Sequence, residues 1–171
     1  MNEKKPFRPA DIVIKELSEE ALPQILQLQN ERNLSPWSDK DYLQEISKQD
    51  SCLLIAASKN EILGFIVMRR TVPTDAEIYN LAVKKEFEGR SIGTRLLTEA
   101  IRLLADSKED SGYIWLEVRE SNKRAIAFYE KHGFIITGRR KNFYSNPQED
   151  ALLMRLEIKS EIVPSDKLEL D

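Results

Sequence analysis

Residues 76–93, Ala-Glu-Ile-Tyr-Asn-Leu-Ala-Val-Lys-Lys-Glu-Phe-Glu-Gly-Arg-Ser-Ile-Gly, read as a strand that turns directly into a helix, and no other stretch limits the fold as much. Ile78 to Val83 is apolar and strand-like, Lys84 to Phe87 is a polar break, and Thr94-Arg-Leu-Leu-Thr-Glu-Ala-Ile-Arg-Leu-Leu follows with helical spacing. Between them lies Glu88-Gly-Arg-Ser-Ile-Gly. A loop that opens a helix presents unpaired backbone N–H groups and the positive end of the helix dipole, so phosphate or pyrophosphate is its natural guest. Gly89 and Gly93 fit a tight turn and close helix packing equally well, and the glycine pattern by itself leaves both readings open.

At 171 residues the chain is long enough to bury the core of one domain. Its 41% hydrophobic and 32% charged residues are those of an ordinary globular protein. No apolar run approaches the ~20 residues that cross a bilayer. Residues 1–12 carry charge with no apolar segment behind them, so no secretory signal is expected. A single cysteine, Cys52, excludes an internal disulfide; in the run Cys52-Leu-Leu-Ile-Ala-Ala it reads as a buried small hydrophobe rather than a nucleophile. With one histidine besides, no metal site is expected. A net charge of −3 argues against direct nucleic-acid binding and suits a basic substrate, and the expected location is the cytoplasm.

Residues 1–10 read as a flexible arm. A first strand is expected over Asp11–Leu17, and a helix capped by Ser18 runs to about Arg32 with Leu22, Ile25, Leu26 and Gln29 in one stripe. Pro36-Trp37-Ser38 breaks the chain, and Ser38 caps a short helix carrying Tyr42, Leu43 and Ile46. Cys52–Ser58 and Glu61–Thr71 make a hairpin through Lys59-Asn60. The strand and helix of residues 76–106 come next. A fifth strand, Gly112–Arg119, precedes a helix from Asn122 to His132, which Gly133 ends. Phe134–Arg140 and Ala151–Ile158 complete the strands, with Phe143 assigned to the core. Residues 159–171 form an acidic tail expected to be disordered. This order predicts an α/β fold: a mixed sheet of about seven strands with four helices on both faces and a parallel crossover in the middle.

Several blocks resemble one enzyme family. Asn80-Leu-Ala-Val, the turn from Gly89 to Gly93, Leu116-Glu-Val-Arg-Glu-Ser-Asn-Lys-Arg-Ala-Ile-Ala-Phe-Tyr-Glu-Lys-His-Gly-Phe and Glu149-Asp-Ala-Leu-Leu-Met are similar to the GCN5-related N-acetyltransferases (GNAT). Pro36-Trp-Ser with Arg139-Arg-Lys-Asn-Phe-Tyr resembles the RimI branch, which acetylates ribosomal proteins at an N-terminal alanine. The similarity spans residues 11–158, and its most specific block is Glu117 to Phe134. It implies direct acetyl transfer from acetyl-CoA to a protein N-terminal amine, the acceptor being a basic small-subunit ribosomal protein, by a monomer or weak dimer. The same fold acting on broader N-termini, a lysine or a small amine is the alternative, and a CoA-binding module with little catalysis is another.

The resemblance also implies site residues. The backbone of Leu81, Ala82 and Val83 would pair with the acetyl-CoA arm like an added strand, and a backbone N–H there can stabilise charge on the thioester oxygen. Gly89, Arg90, Ser91, Ile92, Gly93 and Thr94 would cradle the pyrophosphate, and Asn122 would hydrogen-bond the cofactor. Glu88 and Ser91 depart from the family pattern, which has Gln or Arg and then Gly at these positions. A serine Cβ is tolerable there only if its φ is negative. A carboxylate near pyrophosphate is unfavourable unless it turns to solvent, although Arg90 and Arg95 could compensate. Glu117 is implied as the general base. Read from the residues alone, it faces away from Ile114, Leu116 and Val118 and is either functional or paired with Arg119 or another base. Tyr129 is implied as the acid that protonates the departing thiolate, where its helix stripe alone would suggest core. Glu77 is a rival base, and Tyr79 would line the substrate channel beside it. Trp37 is either a packing plug or a grip on the substrate N-terminus, and Tyr144 would close the site from the last hairpin. The basic run Arg139–Lys141 is either a solvated face or a contact for CoA phosphates.

Overall fold

The computed structural model describes residues 11–34, 36–72, 74–105 and 112–158; the expected N-terminal arm and acidic tail lie outside them. Its strands are β1 (Val13–Glu16), β2 (Ser51–Ser58), β3 (Glu61–Arg70), β4 (Ala76–Val83), β5 (Gly112–Arg119), β6 (Ile135–Ser145) and β7 (Gln148–Ile158). Its helices are α1 (Leu22–Glu31), α2 (Asp39–Ile46), α3 (Ile92–Ala105) and α4 (Lys123–Lys131), with short 3-10 turns at Glu19–Ala21 and Lys85–Phe87. The seven strands form one sheet in the order β1-β2-β3-β4-β5-β7-β6. Every neighbouring pair is antiparallel except β4 and β5. A parallel pair needs a long crossover, and α3 supplies it.

Helices cover both faces. Ile92, Leu96, Leu97 and Ala100 of α3 recur at helical spacing and are buried against Ile66, Met68, Ile78, Ile114 and Leu116 of the sheet. On the opposite face Leu22, Ile25 and Leu28 of α1 and Tyr42 of α2 pack on Leu53, Ile55, Phe65 and Val67. Ser38 caps α2 as its sequence implies, its hydroxyl oxygen accepting from the Asp41 N–H while the Asp41 carboxylate accepts from the Ser38 N–H at 2.8 Å. Ser18 does not cap α1: it makes no side-chain cap bond, a 3-10 turn intervenes, and the helix starts at Leu22 with Pro23 in its first turn. Gly133 ends α4 in the left-handed conformation (φ 87°), its N–H donating to the Glu130 carbonyl at 3.0 Å.

The last hairpin is longer than its sequence pattern suggests. β6 runs on past Arg140 to Ser145 through an irregularity between Arg140 and Tyr144, and β7 begins at Gln148. Phe143 is therefore not a core residue. It lies on the sheet's edge strand, 39% exposed, with the Arg140 guanidinium 4.3 Å from its ring centroid.

Two features of β4 shape the neighbouring cleft. Val67 pairs with Asn80 and Met68 with Ile78, so Tyr79 is an extra residue, a β-bulge that breaks the alternation. Before the bulge Ile78 packs under α3; after it Ala82 packs against α1 and α2. In addition, β4 and β5 pair only over Ala76↔Ile114, Glu77↔Trp115 and Ile78↔Leu116. Beyond these pairs the strands part, leaving residues 79–83 and 117–119 on opposite sides of a wedge. Among the described residues no helix is long and apolar enough to cross a membrane.

Candidate active site

The wedge between β4 and β5 opens into a cavity of about 360 Å³. Leu81, Ala82 and Val83 line it from β4, Asn122 and Tyr129 from α4 and its cap, and Gly89, Ser91, Ile92, Gly93 and Thr94 from the turn into α3. Of the residues expected to hold the cofactor only Arg90 is absent from the lining; its guanidinium lies 5.4 Å from the Phe87 ring centroid. Among the described residues the backbone of residues 79–83 on the β5 side has no strand partner, so an extended ligand bearing amides can hydrogen-bond to it as an added strand.

The turn into α3 has the geometry of an anion cradle. Gly89 (φ 74°) and Ser91 (φ 59°) both have φ in the left-handed region on either side of Arg90, the kind of turn whose successive N–H groups can converge on an anion at a helix N-terminus. The negative φ required of Ser91 is not what forms: the residue takes the conformation a glycine would favour, at a cost of roughly 1–2 kcal/mol. The Gly93 position is close to α4, since a Cβ there would lie 3.4 Å from the Phe128 ring.

Glu88 does not turn to solvent; it is paired with Arg32 and Arg124. Its side chain is 14% exposed and is held from two sides, by Arg32 Nη2 at 2.5 Å and by Arg124 Nη1. Arg95 is used elsewhere, its Nη2 donating to the Ile12 carbonyl at 2.9 Å. Arg32, Arg124, Lys131 and His132 all line the cavity, and the periodic pattern of α1 and α4 gave no signal for any of them. His132 ties α4 to α3, with Nδ1 2.7 Å from the Phe128 carbonyl and Nε2 3.0 Å from Thr94 Oγ1. A carbonyl only accepts, so Nδ1 carries the proton and a neutral ring accepts the Thr94 hydroxyl at Nε2.

Glu117 is the first residue of β5 past its pairing with β4, at 17% side-chain exposure. It is ion-paired, but with Arg140 of β6 at 2.5 Å and not with Arg119. Arg119 instead binds the Asn146 and Pro147 carbonyls and Glu149, and its guanidinium lies 4.0 Å from the Tyr144 ring centroid. Burial, and then the Glu117 charge, push the Tyr144 phenol above its ordinary value. Burial, and then Tyr144, push the Tyr129 phenol well up, so it stays protonated across the physiological range. Glu117 thus acts electrostatically on Tyr144 and Tyr144 on Tyr129; of the three, Tyr129 lines the cavity and Glu117 and Tyr144 do not.

Trp37, Glu77 and Tyr79 form a second group. The Trp37 ring sits 5.6 Å from Tyr79 and 5.3 Å from Tyr42. Burial, and then Glu77, raise the Tyr79 phenol, and the Arg69 guanidinium lies 4.8 Å from its ring. The Trp37 loop is pinned by Gln29, whose buried amide donates to the Trp37 carbonyl at 2.9 Å and accepts from the Trp37 N–H at 3.1 Å. Gln29 also accepts the Tyr42 hydroxyl at 2.9 Å. A glutamine in an otherwise apolar stripe was the signal that could have marked it.

A profile of the acetyltransferase (GNAT) family matches residues 22–134. The chain belongs to that family: it is an acetyl-CoA-dependent N-acetyltransferase. It is 33% identical over 146 residues to the [ribosomal protein bS18]-alanine N-acetyltransferase of Salmonella typhimurium, covering 83% of this chain and 95% of that relative. Its fold is similar to the crystal structure of the ribosomal-protein-S18-alanine N-acetyltransferase from Escherichia coli, with a TM-score of 0.75 and 27% identity over 86% of this chain and 94% of that one. It is also similar to a chain of the NatC complex bound to Gag peptide and CoA, with a TM-score of 0.76 and 27% identity over 87% and 99%. The cavity fits the family's acyl donor: an open strand edge suits its amide-bearing arm, and the left-handed turn with basic side chains around it suits its phosphates.

Proposed function

We propose that this enzyme acetylates the α-amine of a protein N-terminus, the acceptor being the N-terminal alanine of ribosomal protein bS18. The observation that carries this reading is the relation to the Salmonella typhimurium enzyme over nearly all of that protein's length. Acetyl-CoA supplies an acetyl group already activated as a thioester. Leu81, Ala82 and Val83 offer backbone groups to its arm, residues 89–94 receive its pyrophosphate, and the Asn122 amide N–H group is available to it because Asn122 Oδ1 already caps α4 through the Ala125 N–H at 3.1 Å.

An α-amine has a pKa near ~7.7–8.0, so at neutral pH most acceptor molecules must lose a proton before they can attack. Glu117 is the base for that proton, directly or through a water. As the new C–N bond forms and the C–S bond breaks, the Tyr129 phenol donates a proton to the departing sulfur. Burial keeps the phenol in its protonated form, so the proton is on the oxygen when the sulfur departs. Glu77 interacts with Tyr79 and Arg69 beside the Trp37 ring, which favours a substrate-shaping role over that of base. Trp37 and Tyr79 form the apolar wall for the first residues of the acceptor. A small, basic acceptor chain suits the enzyme's net charge of −3, and the site of action is the cytoplasm.

The test is acetyl-CoA turnover with N-terminal peptides of one sequence in which only the first residue varies, alongside a lysine-only peptide and a polyamine. An alanine-first peptide should give the highest kcat/KM. Preference for the polyamine or the lysine side chain would overturn the acceptor, leaving acetyl-CoA as donor untouched.

A further inference from the structure

Three elements meet at the mouth of the cavity through one carboxylate. Arg32 caps the C-terminal end of α1, Arg124 lies in the first turn of α4, and Glu88 immediately precedes the left-handed turn into α3. Glu88 Oε1 accepts from Arg32 Nη2 at 2.5 Å and Glu88 Oε2 accepts from Arg124 Nη1, so both carboxylate oxygens are engaged. All three side chains line the cavity in which the pyrophosphate is expected.

We propose that Glu88 is a built-in competitor for the phosphates of acetyl-CoA: it clasps Arg32 and Arg124 across the cavity mouth, and binding exchanges that carboxylate for ligand phosphate. The chemistry of the partners is the same on both sides of the exchange. A guanidinium that bonds a carboxylate also bonds a phosphate oxygen, with a planar fork suited to either. While the clasp is closed, two cations face one anion and present a single net positive charge to an incoming ligand. When it opens, both are free for a group of higher charge, on which the N–H groups of the adjacent turn can also converge.

The two arms are unequal. Arg124 is 66% exposed and Arg32 only 30%, so solvent screens the Arg124 pair more and it opens first. The clasp also joins α1, which carries the Trp37 loop through Gln29, to α4, which carries Tyr129. Opening it therefore releases the acceptor side from the donor side only once phosphate has arrived. The device depends on Glu88 being anionic, and it rests on acetyl-CoA as donor, independent of which acceptor is used.

Glu88→Gln keeps the shape and removes the charge. Calorimetric titration with CoA should show about tenfold tighter binding at low salt, equivalent to about 1.4 kcal/mol, and the gain should shrink at high salt. The ligand-free variant should melt earlier than the parent protein, since its clasp is gone, while CoA raises its melting temperature by more. Unchanged or weaker CoA binding would overturn the proposal by making Glu88 a support for the arginines, and a gain equal at both salts would overturn it by making the effect steric. Should the variant fail to fold, the parent protein carries the test by NMR of arginine side-chain N–H groups. The Arg32 and Arg124 signals should both move on adding CoA, and signals that stay in place would overturn the exchange.

Discussion

The carboxylate of Glu117 and the guanidinium of Arg140 meet at 2.5 Å, where β5 has just parted from β4 and the last hairpin folds back beside it. The pairing holds the proposed base in one place until an acceptor arrives. An acceptor's α-ammonium carries the same charge as Arg140 and can take its position, which brings the proton to be removed onto the carboxylate. Arg140 is 59% exposed, so the exchange is between two solvated cations and opposes acceptor binding only weakly.

Glu117→Gln and Tyr129→Phe remove the proton acceptor and the proton donor without changing shape. Loss of a general acid or base typically lowers rate by ~10²–10⁴-fold, and kcat should fall in that range for both with little change in acetyl-CoA affinity. Raising the pH should partly restore Glu117→Gln, because more of the amine is then neutral. It should not restore Tyr129→Phe. Steady-state kinetics across pH would separate the roles, and a crippled Glu77→Gln beside a near-normal Glu117→Gln would move the base to β4.

Acceptor recognition should be separable from donor binding. Trp37→Ala should raise KM for peptides and leave acetyl-CoA affinity nearly unchanged. Gln29→Leu should do the same, since it leaves the Trp37 N–H and carbonyl without their buried partner, and should lower stability by about 1–3 kcal/mol. Titration calorimetry with denaturant melts reads both, and loss of acetyl-CoA binding in either variant would place Trp37 in the general core instead.

Ser91 occupies a left-handed conformation with φ 59°. Ser91→Gly should therefore stabilise the fold by about 1 kcal/mol, while CoA affinity stays within about twofold because the backbone already adopts the shape a glycine would. Ser91→Val should destabilise. Melting temperature and Kd measured on the same variants would show whether the serine acts on stability or on binding.

Acid stability should trace to Glu45. Burial would raise this carboxyl, but hydrogen bonds from Arg69, Lys48 and Ser51 outweigh it and bring it from the ordinary 4.5 to about 2. A depressed carboxyl contributes stability above its unfolded pKa and loses it as pH falls through the folded one, so the loss falls between about pH 4.5 and pH 2. The contribution is at most about 3 kcal/mol. Urea unfolding at a series of pH values should show a shallower acid limb for Glu45→Gln than for the parent protein.

How much of the molecule was legible in the sequence differs by element. Gly112–Arg119 alternates buried and half-buried residues along its whole length, and its strand bounds can be read from the chain directly. The caps at Ser38 and Gly133 are equally local. The bulge at Tyr79 is not, because it arises from pairing with β3 and leaves no mark in the composition of β4. The same holds for the Arg32–Glu88–Arg124 clasp, whose members are 56 and 36 residues apart along the chain. Phe143 misled because an aromatic residue usually packs inward, whereas here the sheet edge and Arg140 keep it at the surface. Contacts along one strand or helix are written in the sequence; contacts between ends of different elements need the fold.

The most direct test of the proposed activity is where the acetyl group lands. The protein would be incubated with acetyl-CoA and a peptide copying the N-terminus of ribosomal protein bS18, beginning with alanine and containing an internal lysine, and the product mapped by tandem mass spectrometry. The expected result is a single acetyl group on the alanine α-amine, growing with time and absent when that amine is blocked beforehand. Acetyl on the lysine side chain, or acetyl-CoA consumed only when a small amine is supplied, would contradict it.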